Sequence, residues 1–104
     1  KEFIKARPNW LLSPINRKME LDGYCEELRL AFEYQGEQHY VYKQIFHKNI
    51  KIFNRIKLYD NIKRMLCKEN NITLIEIPYT IKFDKLEDYI KEKLIENNII
   101  NNHE

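Results

Sequence analysis

Residues 72–77 read Ile-Thr-Leu-Ile-Glu-Ile, a β-branched and nearly all-apolar run, and they set the first limit on the fold. A strand of that composition is expected to be buried on both faces, so other layers must pack above and below it. Helical patterns flank it in the sequence. From about 49 to 69, Phe53, Ile56, Ile62, Met65 and Leu66 recur at helix spacing among Lys and Arg. Asn70-Asn71 suits the C-terminal cap of that helix. Pro78 stops the strand, and Asp84 suits the cap of a second amphipathic helix over about 85–97, with Leu86, Tyr89, Ile90, Leu94 and Ile95 on one side.

Two more strands are predicted upstream, over 19–25 and 28–35, joined by the polar Glu26-Glu27. Phe3 to Leu12 is a lead-in that must leave helical geometry at or before Pro8. Ser13 to Lys18 reads as a turn, and 37–47 as a loop or irregular strand rich in aromatics and His. Hairpin, helix, strand, helix is the order of an α/β domain: a mixed β-sheet flanked by helices.

The 104 residues suit one domain with a single modest core. With only two Gly and three Pro, no flexible linker stands out. There is no internal repeat, no apolar run near the about 18 residues of a membrane span, and no signal-peptide pattern. The chain starts at Lys1, which is expected of a piece of a longer protein, and its tail over 98–104 is expected to fray. Cys25 and Cys67 form neither a CxxC pair nor a zinc pattern, and two reduced cysteines fit an intracellular protein, nuclear or cytoplasmic. A net charge of +2 argues neither for nor against nucleic acid.

The chemistry concentrates in the first two strands. A strand sends alternate side chains to one face. Leu28, Leu30, Phe32 and Tyr34 are thus expected on one side, and Arg29, Ala31, Glu33 and Gln35 on the other. Glu20 and Asp22 should lie together, opposite Met19 and Leu21. If the strands pair, Asp22 and Glu33 converge, and two convergent carboxylates are what a hard divalent cation needs.

This arrangement, Asp22 followed by Glu33-x-Gln35 on adjacent strands, resembles the signature of the PD-(D/E)xK nucleases, which have the restriction-endonuclease-like fold. Longer stretches narrow the resemblance: Leu21-Asp22-Gly23-Tyr24, Phe32 to Tyr40 (FEYQGEQHY), Asp60-Asn61-Ile62-Lys63, and Asn71 to Tyr79 (NITLIEIPY). With the lead-in Arg7-Pro8-x-Trp10-Leu11, they are similar to the very-short-patch-repair-type and homing-like endonucleases over about residues 3–80.

The resemblance implies a Mg²⁺-dependent endonuclease, with Mn²⁺ as a substitute, that hydrolyses phosphodiester bonds in DNA ahead of RNA. It implies Asp22, Glu33 and the Tyr34 carbonyl as metal ligands and Gln35 as the group orienting the attacking water. Lys63 or His39 would serve the phosphate or the proton. A metal lowers the pKa of its bound water and neutralises charge on the phosphate, which is what this hydrolysis requires. Two departures stand out. The family's Glu on a helix before the first strand would lie upstream of Phe3, so that helix is expected to be missing or truncated in this sequence, and Gln35 replaces the usual Lys. Gln can hydrogen-bond but carries no charge, so Lys63 would restore the cation if its helix face turns to the site.

The helix over 49–69 carries Lys51, Arg55, Lys57, Lys63, Arg64 and Lys68 against Asp60 and Glu69, a stripe suited to phosphates. A solvated helix face explains the same composition. Tyr40 in the preceding loop suits stacking on a base. Partners are then nucleic acid, with a homodimer or other domains of a parent protein also open, and no membrane. The alternative is a nuclease-like module that binds nucleic acid with little or no turnover, or an RNA endonuclease. Metal-free carboxylates repel, so Glu33→Ala is expected to leave stability little changed.

Overall fold

The computed structural model describes residues 2–37, 43 and 50–99. Among them, four strands and two helices form an α/β fold: β1 (Ile4–Ala6), β2 (Leu21–Cys25), β3 (Leu30–Gln35), α1 (Ile50–Glu69), β4 (Thr73–Pro78) and α2 (Leu86–Glu96). The strands lie in the order β1-β2-β3-β4. The first two pairings are antiparallel, and β4 joins β3 in parallel. A parallel neighbour requires a crossover connection, and α1 lies within it. The mixed sheet and its flanking helices are as the sequence order predicts. No helix among the described residues is long and apolar enough to cross a membrane.

Each sheet face has its own core. On the α1 side, Leu11, Met19, Leu21, Tyr24, Ala31, Cys67 and Ile72 are buried, with Tyr59, Ile62 and Leu66 packed on them. On the α2 side, Leu30, Ile75 and Ile77 are buried beneath Phe3, Phe32, Leu86, Tyr89, Ile90 and Leu94. The double-sided burial expected of β4 is met most fully on the α2 side.

Several boundaries differ from the sequence expectation. The lead-in contains β1, which is short enough to escape a periodicity test. Leu28 and Arg29 lie in the Glu26–Arg29 turn rather than in β3, and Arg29 has a positive φ of 54°. A 3₁₀ turn over Phe83–Lys85 takes up Asp84, so Lys85, not Asp84, precedes α2, and no side chain caps it. Met65 is 51% exposed, because the inner face of α1 runs through Tyr59, Asp60, Lys63, Leu66 and Cys67 instead.

Strict alternation also fails in β2. Ile4 pairs with Tyr24 and Ala6 with Leu21, so β2 spans an extra residue there, a bulge. This explains how Leu21 and Tyr24, three residues apart, feed the same core. The helix terminus behaves as expected. Asn71 adopts φ 58°, and the Ile72 N–H returns to the Cys67 carbonyl at 2.8 Å. A left-handed residue of this kind ends helices, and Asn tolerates it better than most residues.

Candidate active site

Asp22 and Glu33 come together one step beyond the last ladder pair of β2 and β3, Gly23 with Phe32. There the side chains link the strands. The Asp22 N–H donates to Glu33 Oε2 at 2.9 Å, and the Tyr34 N–H donates to Asp22 Oδ2, also at 2.9 Å. Each carboxylate is thus anchored to the backbone of the other's strand. Asp22 is exposed, whereas Glu33 is only 7% exposed.

Lys63 completes the arrangement from above. It sits on the inner face of α1 and donates to Glu33 Oε1, and its ammonium also reaches the Glu20 carbonyl at 2.6 Å. The condition set on it by the sequence, that its helix face turn toward the acids, is met. Burial raises the Glu33 carboxyl above its ordinary value, and the charge of Asp22 adds a smaller push; Lys63 and the Asp22 N–H pull it back. Charge repulsion alone is therefore a poor guide to Glu33→Ala, since a cation already compensates that carboxylate.

A second charge cluster adjoins the first. Glu33 and Glu76 are register partners across β3 and β4. Such partners share a face, and like charges placed so are unfavourable. Consecutive residues of α1 meet them: Lys63 takes Glu33, while Arg64 forks onto Glu76, Nε to Oε1 at 2.7 Å and Nη2 to Oε2 at 2.8 Å. Gln35 is 5% exposed and its amide nitrogen donates to Glu76 Oε2. The expectation that Gln35 faces an attacking water thus meets a different geometry, in which its nitrogen is committed to an acid. Glu76 is the residue that sequence reasoning missed. Its signal was a lone carboxylate in an otherwise apolar strand.

The nucleic-acid candidates do not form one stripe. Lys51 and Arg55 are four residues apart and share one side of α1, whereas Lys57, Arg64 and Lys68 share another. Arg64 is engaged with Glu76 and, through Nη1, with Asn61 at 2.6 Å. Asp60 is buried on the inner face. Cys67 is also buried, and burial followed by the nearby Glu33 pushes its thiol up to about 11, so it is an unreactive core residue. Cys25 and Cys67 are both free. His39 and Tyr40 lie outside the described residues, as does most of the loop predicted over 37–47.

The donor set is compatible with Mg²⁺, which keeps several waters and takes one or two protein carboxylates. Only Oδ2 of Asp22 is bonded among the described residues, which leaves Oδ1 for a cation. Glu33 Oε1 is held by Lys63, so the ammonium would have to give way to a cation there. Among the described residues no group of three or more His, Cys, Asp or Glu is placed to hold a metal, so ligation would rest on the two carboxylates, backbone and water.

The chain is similar to uncharacterised viral proteins. It is 42% identical over 98 residues to protein 307L of Invertebrate iridescent virus 6, covering 88% of this chain and 49% of that protein. With protein 033L of Invertebrate iridescent virus 3 the identity is 38% over 93 residues, covering 88% of this chain and 48% of the viral protein. Protein 094L of Frog virus 3 is 40% identical over 96 residues, covering 90% of this chain and 61% of the relative. The chain thus spans about half the length of the two invertebrate-virus relatives. No family model matches, and no solved structure matches.

Proposed function

We propose that this domain is a metal-dependent endonuclease of the restriction-endonuclease-like type, working inside the cell on DNA ahead of RNA. The observation that carries the reading is the reciprocal anchoring of Asp22 and Glu33 on adjacent strands, with Lys63 against the buried one. A folding requirement alone would favour apolar residues at so buried a strand position. Asp22 and Glu33 would hold the Mg²⁺ or Mn²⁺, with the Tyr34 carbonyl as a backbone ligand. The bound cation supplies an acidified water and a counter-charge for the phosphate.

The chain's own groups do the rest. The burial that raises the Glu33 carboxyl also excludes bulk solvent and strengthens local charge interactions. Lys63 brings the positive charge that Gln35 lacks, and on release from Glu33 its ammonium can move to a phosphate oxygen. Gln35 and Arg64 hold Glu76, which fixes the β4 edge of the site.

One observation favours a second reading, a binding module with little turnover: Lys63 already neutralises Glu33, so the pair is stable without a cation. Nicking of supercoiled plasmid in Mg²⁺ or Mn²⁺, run beside single-stranded RNA, separates the readings. The nuclease is expected to nick DNA, with Asp22→Ala lowering the rate about a hundredfold or more, the scale of several kcal/mol of lost transition-state stabilisation. DNA binding with no cleavage in either metal sinks the enzyme and leaves the binding module.

A further inference from the structure

A cleft of about 390 Å³ opens between the turn at 13–18 and α1, and it meets the candidate site at Lys63, which lines both. The volume falls within the roughly 300–1,000 Å³ of small-molecule sites. Its floor is apolar, built from the buried Met19 and the half-buried Ile56 and Tyr59. Its lining carries five cations against two acids, Glu20, which Arg7 meets at 3.8 Å, and the buried Asp60. Arg7 and Lys63 are already engaged, the first with the Lys18 carbonyl at 2.9 Å and the second with Glu33. Arg17, Lys18 and Arg55 are exposed and make no side-chain hydrogen bond or ion pair among the described residues.

The rim is also held in place. The Ser13 N–H donates to the Arg17 carbonyl at 2.8 Å, the Asn16 N–H to the Ser13 carbonyl at 2.9 Å, and the Arg17 N–H to Ser13 Oγ at 3.3 Å. Leu12 and Lys18 form a bridge, and the Met19 N–H returns to Leu11 at 2.7 Å. Asn16, at φ 63°, takes the left-handed position that such a turn requires. A preformed turn loses little freedom on binding. Three cations above an apolar floor match a ligand that has a negatively charged backbone and flat apolar faces.

We infer that this cleft seats one unpaired nucleotide of a single-stranded or locally opened nucleic acid. Its flanking phosphates lie on Arg17, Lys18 and Arg55, and its base lies over the Met19–Tyr59 floor. An unpaired strand offers a base to such a cleft without the few kcal/mol needed to unpair and unstack it from a duplex. The inference deepens the nuclease reading by naming the substrate class, yet the binding itself needs no metal. The two ideas therefore fail separately.

The test is fluorescence anisotropy in EDTA, where no hydrolysis occurs. The full chain is titrated with a fluorescein-labelled single-stranded 12-mer and with a blunt duplex of the same sequence. Tighter binding of the single strand is expected. Arg17→Ala with Lys18→Ala should weaken it about tenfold or more and reduce the slope of log affinity against log salt by about 1.4. Ile15→Asp, at an exposed lining position of the turn, should weaken it as well, while Lys91→Ala on α2 should change nothing. Equal loss from Lys91→Ala, unchanged binding in the turn variants, or a preference for duplex each overturns the inference. Plasmid nicking that persists in the turn variants with unchanged binding would overturn the nucleotide seat and leave the nuclease standing.

Discussion

The two faces of the β3–β4 pair share one backbone but are built for different ends. Facing α2 are Leu30, Phe32, Ile75 and Ile77, an apolar layer beneath Leu86, Tyr89, Ile90 and Leu94, with Thr73 and the exposed Tyr34 at its ends. Facing α1 from the same strands are Ala31, Glu33, Gln35, Leu74 and Glu76, of which three are polar and Glu33 and Gln35 are buried. The first face needs nothing beyond packing to explain it. The second requires Lys63 and Arg64 to neutralise acids that a folding requirement alone would not have placed there. Buried carboxylate and amide groups on these two strands lie on the α1 side, where compensating cations had to be supplied.

The contrast breaks or sharpens most clearly through substitutions on each face. Ile75→Ala, on the apolar side, is expected to have the largest effect, a loss of about 2–5 kcal/mol in urea unfolding from lost burial and the cavity left behind. Glu33→Ala should lose less, about 1–3 kcal/mol, because Lys63 and the Asp22 N–H lose their acceptor. A larger loss at Glu33 than at Ile75 would make the polar face structural and collapse the distinction.

The pH dependence sharpens it further. The folded state raises the Glu33 carboxyl above its ordinary value, so it holds that proton more tightly than the unfolded chain does. This stabilising contribution is fully present below the unfolded value and is lost as pH rises through the folded one. The difference in urea midpoint between wild type and Glu33→Gln should therefore change across that mildly acidic window and level off on either side. A difference that stays constant with pH would mean that Glu33 titrates normally. The smallest effect is expected at the end of α1, away from both faces, where Asn71→Ala should cost about 1 kcal/mol for its left-handed backbone.

The parts of the molecule that the sequence reveals are those fixed by local rules. The Ile72–Ile77 run marked β4, the spacing of apolar residues marked both helices, and Asn70-Asn71 marked a helix end. Alternation in β3 set Glu33 and Gln35 on one face, and the structure keeps them there, both buried. What stayed hidden depends on contacts between distant segments. The bulge in β2 arises from its pairing with β1, a three-residue strand with no period to detect. Glu76 becomes meaningful only in register with Glu33, and Gln35 only once Glu76 is beside it. Likewise, the basic stripe read from α1 divides because Lys63 and Arg64 turn toward the acids.

The crossover between β3 and β4 has a consequence for the order of assembly. The β2–β3 hairpin is local in sequence and can pair quickly, which brings Asp22 and Glu33 face to face while Lys63 is still elsewhere along the chain. The compensating ammonium arrives only after a long-range closure, the slow kind of event in folding. On that order of events, docking of the helix is the step expected to turn two repelling carboxylates into a settled pair.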